Sequence, residues 1–413
     1  MLLAHKIALD PNAAQRLYFA RAAGTAFFAY NWALREWKRQ YKAGGKPNET
    51  SLRRELNKIK REQFPWMFDV TKCAVQEAII DLGSAFRAFF EKRSDYPTRK
   101  KKGKHVSFCA ANEAGTFRVN GKRIKLPVIG WVRMVEHRTG AQALRCGKSG
   151  LRFSGKLKRV TVSREAERWF ASIMIETDDI KSVAQPEPVI GVDLGITTFA
   201  TISTGEIDKE IDGPKAHTAA LKRLRRANKA LARKRANKGK ANWRKAKRRL
   251  ARVHARIANI RRHATHKLTT YLAKTFKTIG IEDLNVKGMA SNRHLSRSVM
   301  DGGFHEFRRQ LDYKTRLYGS RLVVVNRWFP SSKTCSCCGV IKETLALSQR
   351  VFHCDDCGFE IGRDVNAARN LARMAASSAA TACGEPRSGA QRKPRVKRGS
   401  VKQVEKSGLA EAA

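Results

Sequence analysis

The chain has 413 residues, with 84 Lys+Arg against 36 Asp+Glu and a formal net charge of +48. A hydrophobic content of 42% is enough for real cores and excludes a disordered basic tail. The charge points to a polyanionic partner, nucleic acid first. There is no run of ~18 apolar residues and no signal-peptide core near the amino terminus, so a soluble cytosolic protein without a membrane partner is expected.

In chain order, residues 11–92 read as mostly helical. Val75, Ile79, Leu82, Phe86 and Phe89 recur every three or four positions. An earlier helix carries Phe27, Phe28, Tyr30, Trp32 and Trp37, whose simplest role is core packing. After the basic knot Arg99-Lys100-Lys101-Lys102, residues 103–180 show short alternating segments, including a two-residue hairpin at Asn120-Gly121. This β-rich unit is read as a small barrel. The run from Glu176 to Pro188 reads as a linker.

A second fold begins at Val189. Ile190-Gly191-Val192-Asp193-Leu194-Gly195 has the pattern of a buried strand, and a further strand passes through Phe199 and Ile202. From Gly213 to Ile281 there are 23 Lys+Arg and no Asp or Glu. Trp243, Ala246, Leu250, Val253, Ile257, Ile260, Ala264 and Leu268 nonetheless repeat at helical spacing, which predicts two long helices folded about Asn237-Lys238-Gly239. Strands are predicted over Thr278–Asp283 and Arg321–Trp328, a helix over Asp364–Met374, and a disordered basic tail over 375–413.

The most specific chemical signal is a group of cysteines. Cys335-x2-Cys338 and Cys354-x2-Cys357 are separated by 15 residues, the spacing of a four-thiolate zinc ribbon. Gly339 and Gly358 follow the two pairs, Cys337 is a spare, and His353 is a poorer ligand by spacing. A redox CxxC is the rival reading, which two copies at ribbon distance disfavour. Cys73, Cys109, Cys146 and Cys383 stand apart and read as ordinary thiols.

Asp193 is a carboxylate between glycines in an apolar strand, costly to bury without a cation. GVDLGITT resembles both the first metal-binding strand of RNase H and RuvC nucleases and the phosphate hairpin of actin-like ATPases, and the motif alone does not separate them. Glu282 ends a later strand, and Asp364 starts a helix, where an acid also serves the free N–H groups. Each alone is as well explained by a cap or a solvated strand end. Together, three converging carboxylates repel unless divalent ions neutralise them, and such oxygen donors suit Mg²⁺ or Mn²⁺.

In this order, GVDLG, a basic hairpin, IEDLNVKGM, RWFPSSKTCSCCG, CDDCG and RDVNAARN resemble the TnpB family of transposon-associated RNA-guided nucleases, which is similar to the compact type V CRISPR effectors. The match covers residues 187–372 strongly and the amino-terminal part loosely. The resemblance implies an α+β multidomain chain. An RNase H-like (RuvC) α/β nuclease domain would span 187–334 and 358–374, with the basic hairpin at 215–270 and a zinc ribbon inserted at 335–357. A β-barrel wedge domain at 1–10 and 103–180 would be interrupted by a helical recognition domain at 11–102. Carried over by motif, Asp193, Glu282 and Asp364 would be the catalytic, Mg²⁺-binding carboxylates, and Cys335, Cys338, Cys354 and Cys357 the Zn²⁺ ligands. Arg363 would meet phosphate or orient Asp364.

The resemblance also implies two partners, a guide RNA transcribed near its own gene and target double-stranded DNA, in the cytoplasm of a bacterium or archaeon and associated with its nucleoid. Contacts to them are expected from Arg99, Lys100, Lys101, Lys102, Arg225, Arg226, Arg233, Lys234, Arg244, Arg248 and Arg363, with Asn31 and Gln76 against a short flanking DNA motif. The implied activity is RNA-guided DNA hydrolysis. A nuclease-independent DNA-binding regulator, an accessory transposition protein and an actin-like ATPase are the alternatives.

Overall fold

The computed structural model describes residues 1–103, 106–113, 115–135, 151, 155–177, 185, 187–346 and 348–383. Residues 384–413, most of the expected linker, and Cys146 lie outside them.

The amino-terminal half combines β1 (Leu2–Asp10), the helices α1 (Ala13–Lys42), α2 (Glu49–Gln63) and α3 (Lys72–Phe90), and strands β2 (Ser107–Ala111), β3 (Arg118–Asn120), β4 (Arg123–Leu126), β5 (Gly130–Val135), β6 (Lys156–Glu165) and β7 (Arg168–Glu176). Asn12 and Asn48 start α1 and α2 with reciprocal side-chain caps. The strands form one antiparallel sheet in the order β2-β6-β7-β1-β5-β4-β3. This corrects the expected barrel: among the described residues the sheet is open. One edge strand, β2, packs against α1 and α3. The other, β3, has three residues, too few ladder bonds to close a ring. The tight turn lies at Gly121-Lys122, one residue beyond the expected pair, because Asn120 still pairs with Arg123.

Helices and sheet share one core. Phe19 packs edge-on against Trp169, 5.2 Å between ring centres, and Trp37 stacks on Phe86 at 4.1 Å. Arg159 of β6 reaches Glu77 and Asp81 of α3 at 2.9 and 2.7 Å, which ties helix to sheet.

The carboxy-terminal half begins with β8 (Glu187–Asp193), β9 (Ala200–Ser203) and β10 (Asp208–Ile211), an antiparallel meander. The hairpin α4 (Ala216–Ala232) and α5 (Ala241–Thr275) leads into β11 (Phe276–Glu282). Then come α6 (Val286–Ser291), α7 (Ser296–Gly302), α8 (Phe304–Tyr318), β12 (Arg321–Val325), the short pair β13 (Val351–His353) and β14 (Glu360–Gly362), and α9 (Arg363–Cys383). The sheet order is β10-β9-β8-β11-β12, with β11 parallel to both β8 and β12. Two expectations are corrected. The last strand stops at Val325, where Asn326 opens a turn, and residues 375–383 continue α9 instead of joining a disordered tail. Ala375 is fully buried, which holds the helix on the sheet past the expected end.

The seam of the basic hairpin divides its labour. Val253 and Ile257 bury against Ala216 and Leu224 of α4, whereas Leu268 and Leu272 join the sheet core with Phe307 and Leu311 of α8. Among the described residues no helix is long and apolar enough to cross a membrane.

Candidate metal centres and nucleic-acid interface

Two glycines decide where α9 sits. Gly191 of β8 and Gly280 of β11 are register partners on neighbouring parallel strands. A Cβ on Gly191 would collide with the Ala368 carbonyl and the Ala372 nitrogen, and one on Gly280 would come within 2.5 Å of the Leu371 carbonyl oxygen. The bare strands therefore admit the backbone of α9 directly, with Ala367, Ala368, Leu371 and Ala372 buried beneath it. On the opposite face Ile190, Val192, Ile279 and Ile281 fill the core, as the alternation of a strand requires. Gly191→Ala is expected to cost about 3 kcal/mol, the upper end for overpacking, and to shift α9. Urea denaturation should report the loss of stability.

This seating gathers the three acids. Asp193 and Glu282 end the adjacent parallel strands β8 and β11, and Asp364 lies in the first turn of α9. Burial, then the charges of Asp364 and Glu282, push the Asp193 carboxyl up to about 7. Burial and Asp283 also raise Glu282. Asp364 and Glu282 thus both act on Asp193, while among the described residues none of the three forms an ion pair. Their oxygens do not all come within 4.8 Å of one another, as the four thiolates do. Asp283, the other member of the strand-end pair, has a different task. Arg308 and Arg327 grip its carboxylate and hold it below the usual range.

The Cys quartet is compact. Sγ–Sγ distances are 3.7 Å for Cys335–Cys357 and 3.6 Å for Cys338–Cys354, and all four sulfurs lie within 4.8 Å of one another. Each CxxC forms the same knuckle. The N–H of Gly339 donates to the Cys335 carbonyl and that of Gly358 to the Cys354 carbonyl, both at 3.0 Å, with both glycines at positive φ. Burial opposes ionisation of Cys335, but the backbone N–H groups of Cys338 and Cys337 bring its thiol down to about 7. Cys337 is exposed, as a spare should be. This donor set fits a tetrahedral thiolate metal.

The two centres are stitched together by residues the sequence reading missed. The fully buried Asn366 and Asn370, one helical turn apart on α9, donate to the Thr334 carbonyl at 2.7 and 2.6 Å. Asn370 also donates to Ser331, and the Ser336 N–H donates to Asn366. The loop entering the first knuckle is therefore bound to the helix that carries Asp364. Arg369 pairs with Asp208 at 2.6 Å, which fastens α9 to β10. The RDVNAARN motif was visible, but the partners of its asparagines lie 30 or more residues away.

The basic surface divides into two connected clefts. The larger, about 830 Å³, lies on the hairpin between Arg223 of α4 and Lys245, Arg248, Arg249, Arg252 and Arg256 of α5. Arg248 and Arg252 continue into a second cleft with Arg16 of α1 and Arg164 and Trp169 of the first sheet. Of the expected contacts, Arg248 lines both. Arg225, Arg226, Arg233 and Arg244 are exposed elsewhere on the hairpin, and Lys234 is half-buried. In the knot, Arg99, Lys101 and Lys102 are exposed, but Lys100 turns inward, its Nζ 3.9 Å from the Tyr30 ring centre. Asn31 holds it there, with its amide donating to the Lys100 carbonyl and accepting from the Lys100 N–H. Gln76 is half-buried on α3. Arg363 donates from Nη1 to the Ala346 carbonyl at 3.1 Å.

Comparison with known proteins bears on the family and the fold. Family models described as "Probable transposase", "Cas12f1-like, TNB domain" and "Helix-turn-helix domain" match residues 172–293, 304–371 and 1–46. In the last segment the structure has β1 and one unbroken helix, α1. A Streptomyces pristinaespiralis protein named "Putative RNA-guided DNA endonuclease" is 37% identical over 411 residues, covering 97% of this chain and 95% of the relative. An Escherichia coli K12 protein, "Putative RNA-guided DNA endonuclease InsQ", is 33% identical over 401 residues, covering 93% and 94%. The fold resembles that of Cas12f1 in a complex with single guide RNA and target DNA, with a TM-score of 0.59 at 16% identity over 87% of this chain and 83% of that one. With full-length identity to such relatives and family matches along its length, the chain belongs to the TnpB family of RNA-guided DNA endonucleases.

Proposed function

We propose that the chain hydrolyses DNA phosphodiester bonds at a RuvC-type centre formed by Asp193, Glu282 and Asp364, directed by a guide RNA paired with target DNA next to a short flanking motif. The observation that carries the proposal is the gathering of three acids, scattered over 172 positions, around one pair of parallel strand ends. The meander followed by two parallel strands, β8-β9-β10 with β11 and β12, supports the RuvC reading.

Divalent cations fit this donor set, because the charges of Asp364 and Glu282 raise the proton affinity of Asp193, and among the described residues none of the three acids forms an ion pair. Asp193, Glu282 and Asp364 would hold Mg²⁺ or Mn²⁺, which supplies an activated water and charge neutralisation at the leaving oxygen. The protein's own share is positional. Gly191 and Gly280 set the height of α9, and Asp283 locks the end of β11 through Arg308 and Arg327. Arg363 places a positive charge near Asp193. In the quartet, Cys335, Cys338, Cys354 and Cys357 would hold Zn²⁺ as a structural ion.

The Arg-lined clefts would take the guide RNA and its heteroduplex through phosphates. The wedge and recognition boundaries at 1–10, 11–102 and 103–180 stay part of this proposal, with Gln76 facing the flanking motif and Asn31 acting through Lys100. Binding should weaken by ~0.7–0.9 log units per log of salt for each phosphate neutralised. A salt titration of RNA affinity with slope near zero would contradict a phosphate-tracking interface.

The reading is tested by sequencing the RNA that co-purifies with the chain. A single discrete RNA ending in a variable guide segment is expected. Random cellular RNA would count against it.

A further inference from the structure

Tryptophan is usually at least partly buried, yet Trp328 is 84% exposed, the highest value among the exposed large apolar side chains of the described residues. Its backbone is nevertheless fixed. The Trp328 N–H donates to Asn326 Oδ1 at 2.9 Å, and the Phe329 N–H donates to the Asn326 carbonyl at 3.0 Å. The ring is therefore presented by an ordered turn. Beside it lies a largely apolar cavity of about 460 Å³ between edge strand β12 and the end of α9, lined by Val323, Val325, Trp328, Phe329 and Met374, with Asn326 and Ser378 as polar groups.

The place of this pocket relative to the acids is set by register. Val325 pairs with Glu282, and the Asp283 N–H donates to the Val325 carbonyl at 3.0 Å. Arg327, next to Trp328, holds the Asp283 carboxylate. The aromatic pocket thus borders the end of β12, which pairs with the Glu282-bearing end of β11, on a strongly cationic chain.

A flat exposed ring, an apolar recess with a few polar groups, and a neighbouring phosphodiester-cutting centre suit one ligand class above others. We propose that Trp328 and its pocket receive an unstacked base of a single DNA strand and so hold that strand at the carboxylates. The inference rests on the nucleolytic reading and adds a base-binding residue to it. Stacking on an aromatic side chain is sequence-tolerant, as an enzyme directed by pairing elsewhere requires.

The test uses the full-length chain carrying Asp193→Ala, so that DNA stays intact, and single-stranded DNA oligonucleotides with 2-aminopurine scanned through their length. With Trp328 present, 2-aminopurine should be quenched at a defined position. Trp328→Phe should keep most of the quenching. Trp328→Ala should lose it and bind roughly 5- to 150-fold more weakly, the range for one base–aromatic stack. Because the side chain is exposed, equal melting of the three chains is expected and shows that folding is not the cause. Equal quenching and affinity in all three would overturn the inference and leave the pocket to another occupant, such as residues 384–413. Failure of the underlying reading looks different: Asp193-intact chain with RNA and Mg²⁺ would leave target DNA uncut while the Trp328-dependent quenching persisted.

Discussion

Asp193→Asn is expected to stabilise the metal-free chain at pH 8 while lowering DNA cleavage by at least about 10³-fold, since on the proposed role losing this carboxylate would remove several kcal/mol of transition-state stabilisation. The stability effect follows from the raised carboxyl. Its folded-state value of about 7 exceeds the ordinary 3.8. Between these values the folded chain keeps a proton that the unfolded chain has lost, so stability falls as pH rises through this window. Above it the ionised acid faces Asp364 and Glu282 at full repulsion. The difference caps the cost at about 4 kcal/mol, and partial solvent access reduces it to about 1–3 kcal/mol. Calorimetry with chelator should therefore show the variant melting higher at pH 8 and the two chains converging near pH 4. Adding Mg²⁺ should raise the melting temperature of the wild type and leave that of the variant nearly unchanged. A wild type indifferent to Mg²⁺, or a variant less stable than wild type without metal, would mean that the three acids do not share a cation site.

Cys354→Ser is the second substitution with a large expected effect. Structural zinc in small domains contributes about 10–16 kcal/mol of apparent folding free energy at neutral pH. Removing one of four thiolates should unfold the knuckles and free the loop that Asn366 and Asn370 hold. The first turn of α9, with Asp364, then loses its anchor. An early melting transition, loss of about one zinc per chain and reduced cleavage are expected together, and strong chelation of the wild type should reproduce them. Unchanged melting in both experiments would remove the structural metal from the account.

How much of this was legible in the sequence depends on the range of the cause. The acids and the quartet were visible because each sits in a local pattern: Asp193 in an apolar strand, Asp364 at a helix start, the cysteines at knuckle spacing. The helical hairpin was also visible, since Val253 and Ile257 repeat with the helix period. The choice between Glu282 and Asp283 was not equally fixed, because it turns on Arg308 and Arg327, which are distant in sequence. Gly191 and Gly280 became informative only when the parallel register brought them under α9, 89 residues apart. The barrel was over-read because alternation identifies strands but not whether the edges meet. Lys100 was read with its basic run as a nucleic-acid contact, and nothing local told that its ammonium lies against Tyr30. Trp328 looked like the last residue of a strand, and nothing local told that its ring faces solvent.

The central claim is that pairing with RNA chooses the DNA that the carboxylates cut. The direct measurement replaces the variable segment of the co-purifying RNA with a new sequence and follows cleavage of two duplexes that share the flanking motif and differ only in the matched stretch. Cutting in Mg²⁺ is expected to move to the newly matched duplex and to vanish with Asp193→Ala. Cutting that stays with the old duplex, or that persists without RNA, would contradict the account.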